Sequence, residues 1–183
     1  QSAEKFPWEE RRQGLLGEAH LRRQAVGVVG IIIPWNVPQN LLMPKLIPAL
    51  IAGCTVVIKP APETPLDSLW VAEMLTGIGL PDGVVSVLPG GVDVGEALVR
   101  HPGVDKIAFT GSTEVGKRIQ RSLSGTGKKL TLELGGKAAN IIFADATIDQ
   151  AVEGIINGIY FNQGHVCCAG SRLFVEEGVH DEV

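Results

Sequence analysis

The sequence predicts an α/β protein built on a doubly wound parallel sheet. From Val26 onward, short β-branched runs alternate with segments whose apolar residues recur at helical spacing, which is typical of βαβ units. The runs are almost continuously apolar, as expected for strands that are buried on both faces. The predicted strands lie at residues 28–33, 54–59, 84–88, 106–110, 130–134, 140–143 and 172–175.

Helix starts are predicted where a capping residue precedes an apolar helical pattern. Thr147 is the clearest case, because Gln150 three positions later would complete a capping box, and Gly164 would end that helix. The segment HVCCAG after this stop is therefore predicted to be a loop. The other predicted starts are Thr64, before Pro65 with a pattern running to Gly77, and Ser112 or Thr113.

Composition and charge exclude several classes of partner. The 183 residues are 45% hydrophobic, enough to bury a core, and the net charge of −4 comes without a run of Lys or Arg that would bind nucleic acid. We find no apolar stretch of the roughly 18 residues that a membrane span needs, and no signal-peptide pattern. We therefore expect no nucleic-acid partner and no membrane association. The charged start and the abrupt end favour a chain cut from a longer protein.

The three cysteines fit neither a disulfide framework nor metal-ligand spacing, which predicts a reducing, cytoplasmic compartment and no metal. Cys54 heads an apolar strand and is predicted to lie in the core. Cys167 and Cys168 lie in the predicted loop beside small residues, so Cys167 is either a reactive thiol or a buried small apolar residue. His165 is interpreted as a loop residue, because a Cys-His hydrolase would need facing partners and a third, orienting group.

The segment FTGSTEVG, residues 109–116, directly follows a predicted strand and starts a predicted helix. Backbone N–H groups and the helix dipole at such a turn favour a phosphate. The spacing differs from GxGxxG, so a plain strand-to-helix turn capped by Ser or Thr remains an equal alternative.

Three polar residues lie where strands are predicted to end. Glu133 stands in the apolar run LTLELGG, where burial would raise its pKa and make it a general base; the alternative is the solvated side of an edge strand. Asn36 would donate to an oxyanion or serve as a turn residue. Lys59 would hydrogen-bond a ribose or face solvent.

Five segments together resemble the aldehyde dehydrogenase superfamily over residues 26–183. All five occur in the order of that family and at plausible separations, which chance does not explain. The resemblance implies a Rossmann-like fold and a cofactor, NAD or NADP. The segments are IIPWNVP (32–38), VVIKPAPETP (56–65), FTGSTEVG (109–116), LELGGK (132–137) and FNQGHVCCAGSR (161–172).

The resemblance also implies a role for each matching residue. Cys167 would be the nucleophile, Glu133 the general base, and Asn36 with the backbone N–H of Cys167 the oxyanion hole. Lys59 is expected at the adenosine ribose and Ser112 at the pyrophosphate. The full set of implied cofactor-binding positions is Ile32, Pro34, Trp35, Asn36, Lys59, Gly111, Ser112, Gly116 and Leu134.

Some positions depart from the pattern of the family. An acid commonly stands three residues after the lysine that matches Lys59, and here that place is taken by Pro62, with Glu63 one residue later. The choice between NAD and NADP therefore stays open. Val92 replaces a common glycine, and His165 and Val166 replace the commoner Gln and Cys.

The resemblance predicts two domains. Residues 1–134 would form the nucleotide-binding domain, with residues 1–23 as a lead-in, and residues 135–183 the start of a truncated catalytic domain. The whole protein would be a homo-oligomer that acts on a small aldehyde.

The predicted function is oxidation of an aldehyde to a carboxylic acid through a thiohemiacetal and a thioester on Cys167. One alternative is a CoA-acylating semialdehyde dehydrogenase, in which CoA instead of water takes the acyl group. The presence of Glu133 disfavours this alternative, because Glu133 would activate water. The other is a non-catalytic cofactor-binding or structural fragment, which truncation favours for these 183 residues alone.

Overall fold

The computed structural model describes residues 3–183. Its strands are β1 (Glu9–Gly14), β2 (Gly17–Arg22), β3 (Val28–Ile32), β4 (Thr55–Lys59), β5 (Val85–Val87), β6 (Lys106–Gly111), β7 (Lys129–Leu134), β8 (Ala138–Ile142) and β9 (Gly170–Val175). Its α-helices are α1 (Pro38–Ile51), α2 (Leu66–Gly77), α3 (Val92–Arg100), α4 (Thr113–Leu123) and α5 (Ile148–Tyr160).

A five-stranded parallel sheet in the order β5-β4-β3-β6-β7 forms the centre of the fold. The chain adds β4 and then β5 on one side of β3, and it then crosses back to add β6 and β7 on the other side. This reversal confirms the predicted doubly wound α/β fold. It also creates a switch point between β3 and β6, where open sheets of this kind bind their ligands.

Two helical layers cover the sheet and give it two apolar cores. On one face, Leu42 and Leu46 of α1 and Val71 of α2 pack with Ile31 and other sheet residues. On the opposite face, α3 and α4 pack against the sheet around Ile107, which is fully buried. Burial on both faces explains why the central strands are continuous in apolar residues.

The buried sheet position Ile31 supports a stability prediction. Ile31→Ala should lower the free energy of unfolding by about 2–5 kcal/mol, because it removes buried methyl groups and leaves a cavity. Ile78→Ala, at a side chain that is 80% exposed, should change it by less than about 0.5 kcal/mol. Urea denaturation followed by circular dichroism measures both values, and equal effects would contradict the assigned core.

The predicted helix ends are correct at α4 and wrong in detail at two other helices. Ser112 caps α4, accepting a hydrogen bond from the backbone N–H of Val115 at 3.3 Å. Thr64 does not cap α2, which begins at Leu66 after Pro65. Thr147 precedes α5, but its side chain makes no capping bond, so the predicted capping box is not formed.

The helix α5 ends at Tyr160 and not at Gly164 as predicted. A 3-10 turn, Phe161–Gly164, follows it, and Asn162 and Gln163 in that turn have left-handed backbone conformations. A left-handed residue cannot continue an α-helix, which explains the earlier stop. The residues after the turn form a loop up to β9, as predicted.

The hairpin β1–β2 and the helices α1 and α3 were not predicted. The charged lead-in contains the antiparallel hairpin β1–β2, which lacks apolar alternation and carries exposed cross-strand ion pairs such as Arg22–Glu9 at 3.3 Å. The helix α1 forms although Pro44 and Pro48 lie inside it. Prolines in a helix interior normally break it, but here burial of one apolar face against the sheet outweighs that cost.

The strands β8 and β9 form a separate two-stranded parallel sheet. They follow the last strand of the central sheet, near the predicted boundary between residues 134 and 135. The division into two domains remains a prediction.

Candidate active site

A cavity of about 320 Å³ lies at the carboxyl end of the central sheet. It is placed at the switch point, with β3 and β6 on one side and α3 and α4 on the other. In the sheet register, Lys59, Ile32 and Phe109 stand side by side on β4, β3 and β6. Four of the predicted cofactor residues line the cavity: Ile32, Pro34, Lys59 and Gly111.

The other predicted cofactor residues surround this cavity without lining it. Gly116 and Leu134 pack on each other, since a Cβ on Gly116 would lie 2.5 Å from Cδ2 of Leu134. Ser112 is exposed and caps α4, and Trp35 and Asn36 extend from the end of β3 towards the loop that holds Cys167. Their contacts to a cofactor remain predictions.

Lys59 is buried in the cavity wall, with 7% of its surface exposed. Burial lowers the pKa of Lys59 below its ordinary value, and the negative charges of Glu63 and Asp93 partly oppose this shift. No hydrogen bond of its ammonium group is present among residues 3–183. A buried ammonium of this kind is stabilised by a polar ligand that enters the cavity.

Thr110 is a cavity residue that sequence reasoning missed. Its hydroxyl oxygen is buried and has no hydrogen-bond partner within the described part of the chain. Buried hydroxyls are nearly always paired, so this one points to a partner supplied from outside. The only signal in the sequence was its place inside FTGSTEVG, between the strand and the turn.

The two neighbouring cysteines after α5 are exposed, whereas Cys54 is buried as predicted. Cys167 therefore lies outside the apolar cores of this chain. The backbone of Cys167 lies close to the segment after β7, because a Cβ on Gly136 would be 3.5 Å from the carbonyl oxygen of Cys167.

Asn36 links the end of β3 to the cysteine loop. Its Nδ2 donates to the carbonyl oxygen of His165 at 2.6 Å, and the ring of Trp35 meets the ring of His165 edge-on at 4.9 Å between centroids. The Oδ1 atom of Asn36 is buried without a partner among residues 3–183. Trp35 and Asn36 therefore contact the loop of Cys167 at His165, two residues before the cysteine.

Glu133 is exposed, so of the two alternatives for its position the structure supports the solvated side of an edge strand. The strand β7 is the edge of the sheet and pairs with β6 alone, which leaves alternate side chains in solvent. Glu133 stands beside Thr110 in the register, one position past the pair formed by Phe109 and Leu132. It therefore lies at the same carboxyl edge of the sheet as the cavity.

Lys45 of α1 is the second residue that sequence reasoning missed. Burial lowers the pKa of Lys45, and the negative charge of Glu133 acts in the opposite direction, so the two groups lie within electrostatic range. The Nζ atom of Lys45 donates to the carbonyl oxygen of Leu41 at 3.1 Å. A single cation inside the apolar run NLLMPKLIPAL was the available signal.

Comparison with known proteins decides the family. A model of the family described as "Aldehyde dehydrogenase family" matches residues 8–183. The chain belongs to the aldehyde dehydrogenase family. The resemblance found in the five sequence segments is thereby confirmed.

Two relatives in the aldehyde dehydrogenase family show the extent of the similarity. The chain is 53% identical over 163 residues to human retinal dehydrogenase 2, covering 88% of this chain and 32% of the relative. It is 50% identical over 165 residues to an aldehyde dehydrogenase of Enchytraeus buchholzi, covering 89% and 33%. The chain thus spans about a third of the length of these curated relatives.

Solved aldehyde dehydrogenase structures share the fold. One from Mycobacterium tuberculosis, complexed with NAD+, superimposes with a TM-score of 0.94 at 43% identity, over 99% of this chain and 38% of that one. A betaine aldehyde dehydrogenase from Staphylococcus aureus, in complex with NAD+, gives 0.92 at 38% identity, over 98% and 36%. These similarities confirm the Rossmann-like fold class.

Between residues 3 and 183, no three His, Cys, Asp or Glu side chains are grouped so that they could hold a metal ion. In the same range, no helix is both long enough and apolar enough to cross a membrane.

Proposed function

We propose that the whole protein oxidises an aldehyde to a carboxylic acid with NAD+ or NADP+, and that Cys167 is the nucleophile. One observation carries this proposal: Asn36 joins the end of β3, beside the switch-point cavity, to the loop that presents an exposed Cys167. A cofactor site and a thiol are thereby brought to the same edge of the sheet. Membership of the family and the NAD+ complexes of similar structures support the cofactor class.

The cavity fits a dinucleotide by the chemistry of its walls. Lys59 offers a buried cation and Thr110 an unpaired buried hydroxyl, both suited to ribose and phosphate oxygens. Gly111, at the turn into α4, has no side chain of its own to fill the cavity, so a ligand can approach the backbone there. When bound, the nicotinamide accepts the hydride that leaves the aldehyde carbon.

Lys59→Met should weaken NAD+ binding by about 10- to 100-fold, since it removes a charged hydrogen-bond donor from a buried site while keeping most of the side-chain volume. Isothermal titration calorimetry with NAD+ measures the change in Kd. Lys106→Met is the matched control, because Lys106 begins β6 at the opposite end of the sheet. A similar loss in both variants would contradict the role assigned to Lys59.

The first chemical step that we propose is attack of the Cys167 thiolate on the aldehyde carbon. A C–S bond forms and the carbonyl electrons move to oxygen, giving a thiohemiacetal anion. The side-chain amide of Asn36 has two hydrogens, and the carbonyl of His165 takes one. The second hydrogen, with the backbone N–H of Cys167, is left to stabilise the oxyanion.

The second step is hydrolysis of the thioester that remains after hydride loss. Glu133 takes a proton from a water molecule, the hydroxide attacks the acyl carbon, and the C–S bond breaks to release the acid and the thiolate. The position of Glu133 beside Thr110, at the carboxyl edge of the sheet where the cavity lies, supports this role.

A test of the proposal follows reduction of NAD+ and NADP+ by absorbance, using the whole protein and a panel of short aliphatic and aromatic aldehydes. Mass spectrometry identifies the product with and without added CoA. Reduced cofactor together with the free acid, independent of CoA, supports the proposal. An acyl-CoA product that requires CoA would contradict hydrolysis by Glu133.

A second readout addresses the non-catalytic alternative. Iodoacetamide labelling of the whole protein, read peptide by peptide, reports the reactivity of Cys167 and Cys168 with and without NAD+. A rate at Cys167 that changes with NAD+ supports a formed site. No cofactor reduction with any aldehyde, combined with no effect of NAD+ on Cys167, would overturn the proposed function.

A further inference from the structure

We propose that Asn162 is a positioning residue for the nucleophile: its side-chain hydrogen bonds hold the loop that carries Cys167 against the loop that carries Asn36. The inference rests on the proposed function, because it concerns delivery of the Cys167 thiol. Asn162 belongs to the 3-10 turn after α5, five residues before Cys167, and it is not one of the residues that line the cavity.

The side chain of Asn162 makes the hydrogen bonds that carry the inference. Its Nδ2 donates to the backbone carbonyl of Asn36 at 2.9 Å and, at 3.5 Å, to the carbonyl of His165. Asn36 donates back across the same gap, from its Nδ2 to the carbonyl of His165 at 2.6 Å. The two asparagines thus form a reciprocal clamp between loops that are 126 residues apart in sequence.

The clamp acts at the two groups that the mechanism uses. Asn162 holds the peptide of Asn36, whose amide is the proposed oxyanion donor. Both asparagines hold the carbonyl of His165, and the backbone N–H of Cys167, the other proposed donor, lies two residues further along the chain. A shift of either loop by about 1 Å would misplace donor and thiol relative to each other, and misplacements of that size cost about 100-fold in rate.

The backbone at the clamp supports the same conclusion. Asn162 (φ 51°) and Gln163 (φ 59°) are the non-glycine residues with positive φ in the described part of the chain. Left-handed conformations at such residues persist where surrounding contacts hold them, and they concentrate at functional sites. Gln163 makes no side-chain hydrogen bond within residues 3–183, so the contacts that hold this turn are those of Asn162, including its carbonyl, which accepts from the N–H of His165 at 3.0 Å.

A simpler reading assigns Asn162 to the turn alone, since asparagine tolerates the left-handed conformation better than most residues. Asn162→Gly separates the two readings, because glycine adopts this conformation freely but has no amide. Gln163→Gly is the matched control: it relaxes the neighbouring left-handed residue and removes no hydrogen bond of the clamp. Asn162→Asp keeps shape and size but turns an acceptor towards two carbonyl oxygens.

The experiment uses the whole protein and p-nitrophenyl acetate, an active ester that acylates a nucleophilic thiol without needing the natural aldehyde. Stopped-flow absorbance gives the rate of the acylation burst, and calorimetry gives the Kd for NAD+. We expect Asn162→Gly and Asn162→Asp to slow acylation by about 10- to 100-fold, with Kd for NAD+ changed less than about 2-fold. Gln163→Gly should acylate at the rate of the unmodified protein.

An acylation rate for Asn162→Gly equal to that of the unmodified protein would overturn the inference, leaving a turn-forming role. Equal losses in Asn162→Gly and Gln163→Gly would also overturn it, since turn flexibility would explain both. If Asn162→Asp does not fold, as judged by circular dichroism, the glycine variants still decide. An unchanged burst in Cys167→Ser would instead show that the proposed function has failed.

Discussion

Cys167→Ser is expected to lower aldehyde oxidation by at least about 10⁴-fold, the largest effect of any single substitution in this chain. The thiol is the only side chain in the proposed mechanism that bonds to the substrate carbon. A serine hydroxyl with no adjacent base is a far weaker nucleophile. Unfolding would not explain the loss of activity in Cys167→Ser, because Cys167 is exposed and its substitution leaves the apolar cores intact. Steady-state reduction of NAD+ measures the effect.

The neighbouring thiol provides the matched control. Cys168 is also exposed and differs from Cys167 by one position in the same loop. Cys168→Ser should therefore keep activity within a few-fold of the unmodified protein and should retain the acylation burst with p-nitrophenyl acetate. The assignment of the nucleophile is wrong if Cys168→Ser loses activity and Cys167→Ser keeps it.

Glu133→Gln is expected to produce the second-largest effect, a drop in turnover of about 10²- to 10⁴-fold. Glutamine has nearly the same shape but cannot take a proton from water, so the acyl group should stay on Cys167. The exposed position of Glu133 on an edge strand predicts little change in stability. Loss of the negative charge should also lower the pKa of Lys45 further, because Glu133 opposes the effect of burial there.

The two chemical steps are separated by the form of the kinetics. Glu133→Gln should still give a full burst with p-nitrophenyl acetate, followed by slow release, and intact-mass spectrometry should detect the acetylated protein. Glu176→Gln, on an exposed carboxylate after β9, is a suitable control and should turn over normally. A missing burst in Glu133→Gln would place Glu133 in the acylation step and contradict its role in hydrolysis.

Much of the fold follows from local patterns in the sequence. The apolar strands, the Ser112 cap and the loop after α5 were all predicted near their observed positions, since each depends on neighbours close in the chain. The carboxyl ends of parallel strands meet at one edge, so the motifs at the ends of β3, β4 and β6 were expected to share a site. The cavity there includes Pro34, Lys59 and Gly111.

Other features depend on which element packs beside which. The apolar run around Glu133 left both burial and solvent exposure open, and the structure decides it, because β7 has a neighbour on one side only and its alternate residues face solvent. Pro44 and Pro48 disfavour a helix interior, and packing of α1 against the sheet outweighs that preference. In the sequence, nothing distinguishes Thr110 from other strand residues. In the structure, its hydroxyl is buried without a partner among residues 3–183.

The sequence by itself determined the family and the fold class and supplied the residues proposed for the chemistry, because motifs and apolar periodicity are local properties of the chain. Only the tertiary structure decided that Glu133 is exposed, that Lys45 lies near it, and that Asn162 and Asn36 clamp two loops together. Those facts are contacts between residues far apart in sequence. They arise from the order of strands and the packing of loops, which no local pattern records.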